Sequence, residues 1–236
     1  GRRPSARVVD PDLKNHIMKN YKIYCGGEFL ETKTTLEVRN PYNNDLVATS
    51  YIAGKEILEL AIEKALKAEK QCKELPSYVK YRILMDIVHK LMSRKRELAE
   101  ILSLESAKPI KYALGEIDRS IATFTIAAEE SKRLPKEYIS LDWTAPGNRK
   151  EGLVKYFPIG LSSGISPFNF PMNLAVHKIA PAIAAGCPMI LKPSRSTPLS
   201  TLELAKIINE TELPKGAVSI LPTDRESGNQ LVTDER

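Results

Sequence analysis

Apolar positions along the chain change their period twice. Between residues 23 and 54, short β-prone pieces alternate with turn signals. Ile23-Tyr24-Cys25 leads through Gly26-Gly27 to Glu28-Phe29-Leu30, and Leu36-Glu37-Val38 precedes the Asn40-Pro41 turn. Leu46 to Ile52 completes a predicted small strand layer. From residue 55 to 135 the period becomes helical. Leu58, Ala61, Ala65, Ala68 and Cys72 predict a first helix, which Pro76 stops. Tyr81, Leu84, Ile87, Val88 and Leu91 predict a second, and Leu98, Ile101, Leu102 and Leu104 a third. Pro109 opens a fourth, with Ile110, Leu114, Ile117, Ile121, Phe124 and Ala128 as its expected core stripe.

The last hundred residues read differently. Leu153 to Phe157 and Ser163-Gly164-Ile165 predict strands, and Asn173 to Ala185 a helix that Gly186 ends. Met189-Ile190-Leu191 predicts a short buried strand. Leu199 to Glu210 predicts a helix after Ser196-Thr197-Pro198, Val218 to Leu221 a strand, and Gly228 to Val232 the start of a further helix. Strand and helix alternating in this way predict an open parallel α/β sheet, Rossmann-like and preceded by a helical layer. Ligands of such sheets sit beyond the carboxyl ends of the strands. Three loops are therefore the expected site: Ile165-Ser166-Pro167, Lys192-Pro193-Ser194 and Leu221-Pro222-Thr223.

Composition narrows the class. The 236 residues are 42% apolar, enough for a sizeable core, and no apolar run reaches the length of a membrane span. The net charge of +6 raises the question of nucleic acid. Residues 1–22, however, hold six basic and two acidic side chains, and residues 151–236 hold eight of each. The excess is an N-terminal basic tail, expected to be disordered, and no nucleic-acid partner is expected. No secretory signal is read at the N-terminus. Cys25, Cys72 and Cys187 are odd in number and far apart. They point to a reducing compartment, the cytoplasm, and away from a disulfide framework or a metal site.

The strand-end loops carry the candidate chemistry. Prolines flank Asn169 in Ser166-Pro-Phe-Asn-Phe-Pro171, so its amide is either an oxyanion donor or the cap of the helix that follows. Lys192 and Arg195 lie either against an anionic or polyhydroxylated ligand or in a solvated loop. Gly160-Leu-Ser-Ser-Gly164 matches neither common phosphate-loop pattern, and His177 reads as a packed helix residue.

Taken together, several segments resemble the aldehyde dehydrogenase superfamily. They are Phe157-Pro-Ile-Gly-Leu161, Ile165-Ser-Pro-Phe-Asn-Phe-Pro-Met-Asn-Leu174, His177 to Gly186, Leu191-Lys-Pro-Ser194, Thr197-Pro198, Leu213-Pro-Lys-Gly216, Glu105-Ser-Ala-Lys-Pro109 and Gly115-Glu116. The Leu221-to-Gly228 turn is similar to that of a branch with lactaldehyde and semialdehyde enzymes. The resemblance implies oxidation of an aldehyde to a carboxylic acid with NAD or NADP, through a cysteine nucleophile and a glutamate-activated water. It makes Asn169 the oxyanion-stabilising residue. It lines the cofactor cleft with Ile165, Ser166, Pro167 and Phe168, and gives Lys192 the adenosine ribose. Ser194, Arg195, Arg225 and Gly228 complete the expected cofactor set. Arg195 stands where the family often has a ribose-holding Glu, which implies a preference for NADP.

The resemblance divides the chain into the tail (1–22), N-terminal strands and helices of the cofactor-binding domain (23–135), a strand arm (136–157) for pairing with another copy, and the βαβαβ part (158–236). None of the three cysteines lies in the family's nucleophile context, and the general-base Glu is absent. The chain is therefore expected to be an N-terminal portion, inactive alone. A CoA-acylating relative and a naturally short interaction module are the alternatives, and the aldehyde is not identified.

Overall fold

A computed structural model describes residues 19–236. Residues 1–18, most of the expected basic tail, lie outside the described residues. Residues 19–22 of the expected tail are ordered. β1 (Lys19–Asn20) pairs parallel with β5 (Leu46–Tyr51), and Tyr21, 5% exposed, donates its N–H to Thr49 O at 2.8 Å. Basic neighbours hid this aromatic anchor from a charge-based reading.

Two sheets share the strands predicted for residues 23–54. β4 (Thr35–Arg39) joins β5 antiparallel and completes a three-stranded sheet with β1. The hairpin of β2 (Ile23–Cys25) and β3 (Glu28–Leu30) leaves that layer and extends the main sheet instead. Its turn needs both glycines. Gly26 and Gly27 take φ of +52° and +99°, and a Cβ on Gly27 would meet the Lys215 side chain at 2.6 Å.

The helical layer comprises α1 (Lys55–Glu74), α2 (Ser77–Ser93), α3 (Lys95–Ser106) and α4 (Ile110–Ser131). The first three bury the expected stripes except at Tyr81 of α2 and Leu104 of α3, which are only partly buried against the core. In α4 the buried face is rotated. Ala113, Glu116, Ile117, Ser120 and Phe124 face inward, while Ile110, Leu114 and Ile121 pack at the core's edge. The arm is a hairpin of β6 (Lys136–Ser140) and β7 (Glu151–Lys155), with Tyr138, Trp143 and Leu153 exposed.

The predicted α/β alternation follows. β8 (Ser162–Ile165), β9 (Met189–Lys192) and β10 (Val218–Ile220) run parallel, linked through α5 (Pro171–Ala185) and α6 (Leu199–Asn209). The order across the main sheet is β3-β2-β10-β9-β8. Successive residues of a strand point to opposite faces, so two cores form. Met189, Leu191, Val218 and Ile220 join the cluster under α2 to α6, whereas Ile190, Ile23 and Cys25 join the one that contains Leu58 and Ile62 of α1. α7 (Arg225–Thr233) starts three residues before the helix expected from Gly228. Its cap is Asp224, whose Oδ1 accepts the Ser227 N–H at 2.7 Å. Arg225 is thus the first helical residue and not part of the loop.

Candidate cofactor groove and amide loop

At the carboxyl ends of β8, β9 and β10 lies a groove of about 350 Å³. It gathers five of the expected residues: Ile165, Lys192, Arg195, Arg225 and Gly228. Thr223 lines it as well, with its hydroxyl buried and without a partner. Among the described residues, none of the three cations forms an ion pair with a carboxylate. Burial first, and then the nearby Arg195 guanidinium, hold the Lys192 ammonium below the ordinary lysine value. Gly228 makes room for that side chain, because a Cβ there would lie 2.9 Å from Lys192 Cε.

Phe168 and Asn169 lie apart from this groove. They line a second, larger one of about 640 Å³, with Lys108, Ser196 and Thr197. Ser166, Pro167 and Ser194 line neither. Ser166 Oγ is buried and unpartnered, and Ser194 Oγ bonds Ser196 Oγ at 2.9 Å. His177 is not packed: it is an exposed residue of α5, with Nε2 3.4 Å from Thr123 Oγ1.

The cap reading of Asn169 fails. The N-cap of α5 is Phe170, which makes no side-chain cap, and the first N–H groups of α5 are satisfied from afar. Glu116 Oε1 accepts from Met172 N and Asn173 N, both at 3.1 Å, and Glu116 Oε2 pairs with Lys108. Lys108 Nζ also donates to Asn169 O at 2.9 Å and lies 4.4 Å from the centre of the Phe170 ring. The Asn169 backbone is therefore tied down, while its exposed amide has no hydrogen-bond partner among the described residues.

The same device holds the neighbouring loop. Glu105, fully buried, accepts from Leu199 N at 2.6 Å and Ser200 N at 3.1 Å at the start of α6. Burial outweighs those bonds and pushes its carboxyl up to about 7. Glu105, Lys108 and Glu116 carry the family resemblance, but their sequence context alone assigns them no role. The available signal was a carboxylate continuing the Leu98-Ile101-Leu102 stripe at the spacing of a buried face.

The three cysteines stand elsewhere. All are free and buried, and none lines either groove. Burial pushes the Cys25 and Cys72 thiols up to about 11. Among the described residues, no group of three or more His, Cys, Asp or Glu is placed to hold a metal ion, and no helix is long and apolar enough to cross a membrane.

Parallel strands ending in a cationic groove, beside a capped helix start, define a nucleotide-binding α/β protein. Comparison makes the class particular. The aldehyde dehydrogenase family profile matches residues 29–236, and the chain belongs to that family. It is 38% identical over 221 residues to the 3-sulfolactaldehyde dehydrogenase of Priestia aryabhattai, covering 92% of this chain and 46% of the relative. The lactaldehyde dehydrogenase of Methanococcus aeolicus is 38% identical over 205 residues, covering 84% and 42%. Among solved structures, aldehyde dehydrogenase 21 from Physcomitrella patens, in complex with the reaction product succinate, aligns with a TM-score of 0.90 at 43% identity. That alignment covers 92% of this chain and 46% of the other. The chain spans a little under half the length of the curated relatives it matches.

Proposed function

We propose that the chain is the cofactor-binding portion of an aldehyde dehydrogenase that oxidises an aldehyde to a carboxylic acid with NADP or NAD, and prefers NADP. The observation that carries this reading is the set of three unpaired cations, Lys192, Arg195 and Arg225, around one groove at the strand ends. The groove suits an adenine nucleotide: Gly228 leaves the cradle open, and the orphaned Thr223 hydroxyl offers a polar contact. Lys192 would bond the ribose hydroxyls, and Arg195 and Arg225 the 2′-phosphate. The cofactor, when bound, supplies the hydride acceptor. Asn169 would donate its amide to the oxygen of the reacting carbonyl.

Arg119 bears on the aldehyde. Its guanidinium lies 5.3 Å from the Phe170 ring centre, next to the Asn169 loop, and among the described residues it pairs with no carboxylate. A substrate with a distal anionic group would satisfy it. The 3-sulfolactaldehyde enzyme and the succinate-bound structure are named for ligands of that kind. The three cysteines are buried and outside the grooves, so the 236-residue chain alone should oxidise no aldehyde. Three free thiols fit the cytoplasm. The exposed aromatic arm of β6 and β7 fits pairing with another copy.

The test is calorimetric binding of adenosine 2′,5′-bisphosphate and of AMP to the chain. A charge-assisted phosphate contact contributes about 1.5–3 kcal/mol, so the bisphosphate should bind at least about tenfold tighter. Arg195→Gln and Arg225→Gln should remove that difference and leave AMP binding unchanged. Equal affinities for the two ligands would refute the NADP preference. Failure to bind either would refute the groove.

A further inference from the structure

One amine stands among the three cations of the strand-end groove. Lys192 closes β9, and its side chain lies across α7, where a Cβ on Gly228 would meet Lys192 Cε at 2.9 Å and Cδ at 3.4 Å. The stem is therefore held and half-buried, while Arg195 and Arg225 line the same groove from exposed positions. The carboxylate that shares the groove is engaged elsewhere: Asp224 caps α7, and its Oδ1 accepts the Ser227 N–H at 2.7 Å. Burial and the Arg195 charge both act against the Lys192 ammonium and favour the free amine. A lysine desolvated beside another cation is an activated nucleophile, and two guanidiniums are a hold for an anionic reagent. Other lysines lack this company. Lys80 pairs with no carboxylate among the described residues but is only 5% exposed, and Lys33 and Lys55 are exposed and line neither groove.

We propose that acyl phosphates acylate Lys192, their phosphate held by Arg195 and Arg225, and that the acyl group closes the groove to nucleotides. The closing rests on the reading of this groove as the nucleotide site, whereas the acylation needs only the groove's cations. The free amine attacks the acyl carbonyl carbon. A C–N bond forms, and the C–O bond to the phosphate breaks, its electron pair leaving with the phosphate. One amine proton passes to that phosphate. An acyl phosphate and an amine thus become an amide and inorganic phosphate, and nothing is oxidised or reduced. The guanidiniums that hold the reagent also stabilise the phosphate as it departs. The product has lost the ammonium that would bond the ribose hydroxyls, and it carries an acyl group inside a groove of about 350 Å³. Nucleotide binding here would thereby answer to the supply of activated acyl groups.

The experiment incubates the folded 236-residue chain with acetyl phosphate and follows each lysine by peptide mass. Lys192 should gain an acetyl group at least about tenfold faster than Lys33 and Lys55, the ratio expected of one charge-assisted phosphate contact. Inorganic phosphate and AMP should each slow labelling at Lys192 and leave Lys33 unaffected. The acetyl ester of N-hydroxysuccinimide, which is uncharged and offers no phosphate, should show a smaller preference for Lys192. The Arg195→Gln, Arg225→Gln double variant should bring Lys192 down to the rate of the exposed lysines. The chain acetylated at Lys192 should bind AMP at least about tenfold more weakly in calorimetry. Labelling of Lys192 no faster than of Lys33, the same preference with the uncharged ester, or an unchanged rate in a folded double variant would overturn the acylation and leave the nucleotide reading intact. Fast labelling that phosphate suppresses and AMP does not would uphold the acylation and overturn the closing of the groove.

Discussion

Replacing Glu116 by Ala should destabilise the chain by about 3–5 kcal/mol, the loss usual when one partner of a buried ion pair is removed. The structure sets this magnitude. Glu116 is 1% exposed and makes two N–H bonds of 3.1 Å at the start of α5, besides pairing with Lys108. The variant leaves the Lys108 ammonium, 15% exposed, without its carboxylate, and two helix N–H groups without acceptors. Glu116→Gln keeps an acceptor oxygen for the N–H groups and should lose about half as much. Lys108→Met in the Gln background removes the stranded charge, so the double variant should be more stable than the sum of its single losses. Denaturant unfolding followed by circular dichroism gives the free energies. Hydrogen exchange at Met172 and Asn173 gives the local effect, since each 1.4 kcal/mol of lost protection is about tenfold in rate. A Glu116→Ala loss below about 1 kcal/mol, with those two amides still protected, would show that α5 does not depend on this carboxylate.

Gly228→Ala should weaken adenosine 2′,5′-bisphosphate about tenfold without lowering the melting temperature, because the new methyl displaces Lys192 while helix propensity improves. Unchanged affinity in calorimetry would separate Lys192 from the nucleotide. Glu105 should give the fold a pH dependence of its own. Its carboxyl stands at about 7 in the folded chain against an ordinary value of 4.5, so between those values the folded state holds the proton more tightly than the unfolded one. Its contribution is fully present below 4.5 and falls by about 3 kcal/mol as pH rises to 7. Glu105→Gln, neutral throughout, should lack this slope, and parallel curves of unfolding free energy against pH for the two proteins would contradict the assignment.

The parallel strands were legible as short pieces between turn signals, although Ser219 interrupts β10 and β8 is Ser162-Ser163-Gly164-Ile165. Met189-Ile190-Leu191 is the clearest: its residues reach both cores. The loops at their ends followed from topology alone, and five of the ten expected residues do share one groove. What local patterns missed is of three kinds. Non-local pairing moved β2 and β3 into the main sheet, and nothing within residues 23–30 distinguishes one sheet edge from another. A short-range cap hid the start of α7, because Asp224 lies inside a polar loop whose residues all look solvated. In α4, the large aliphatics suggested a face, but the close contact with α5 favours small and polar residues such as Ala113, Glu116 and Ser120. The two grooves also separate residues that are adjacent in sequence, since Ile165 and Phe168 line different ones.

The placement of Glu105 and Glu116 bears on why the amide loop can serve a ligand. α5 and α6 begin directly after the candidate site loops, at Phe170 and Pro198, and neither residue makes a side-chain cap. A local Ser, Asp or Asn cap would turn its polar side chain back onto the helix and away from the groove. Here the caps come from α3 and α4 instead, as carboxylates fixed on rigid helices, and the negative charge also suits the positive end of each helix dipole. Asn169, one residue before Phe170, is thereby released from backbone duty, while Lys108 holds its carbonyl in place. Two N–H bonds and the Lys108 pair compensate the buried Glu116 carboxylate, whereas at Glu105 burial outweighs the two N–H bonds it accepts. Only a helical layer packed against the strand ends can deliver those groups, which gives residues 55–131 a part in the site although they supply none of the groove's cations.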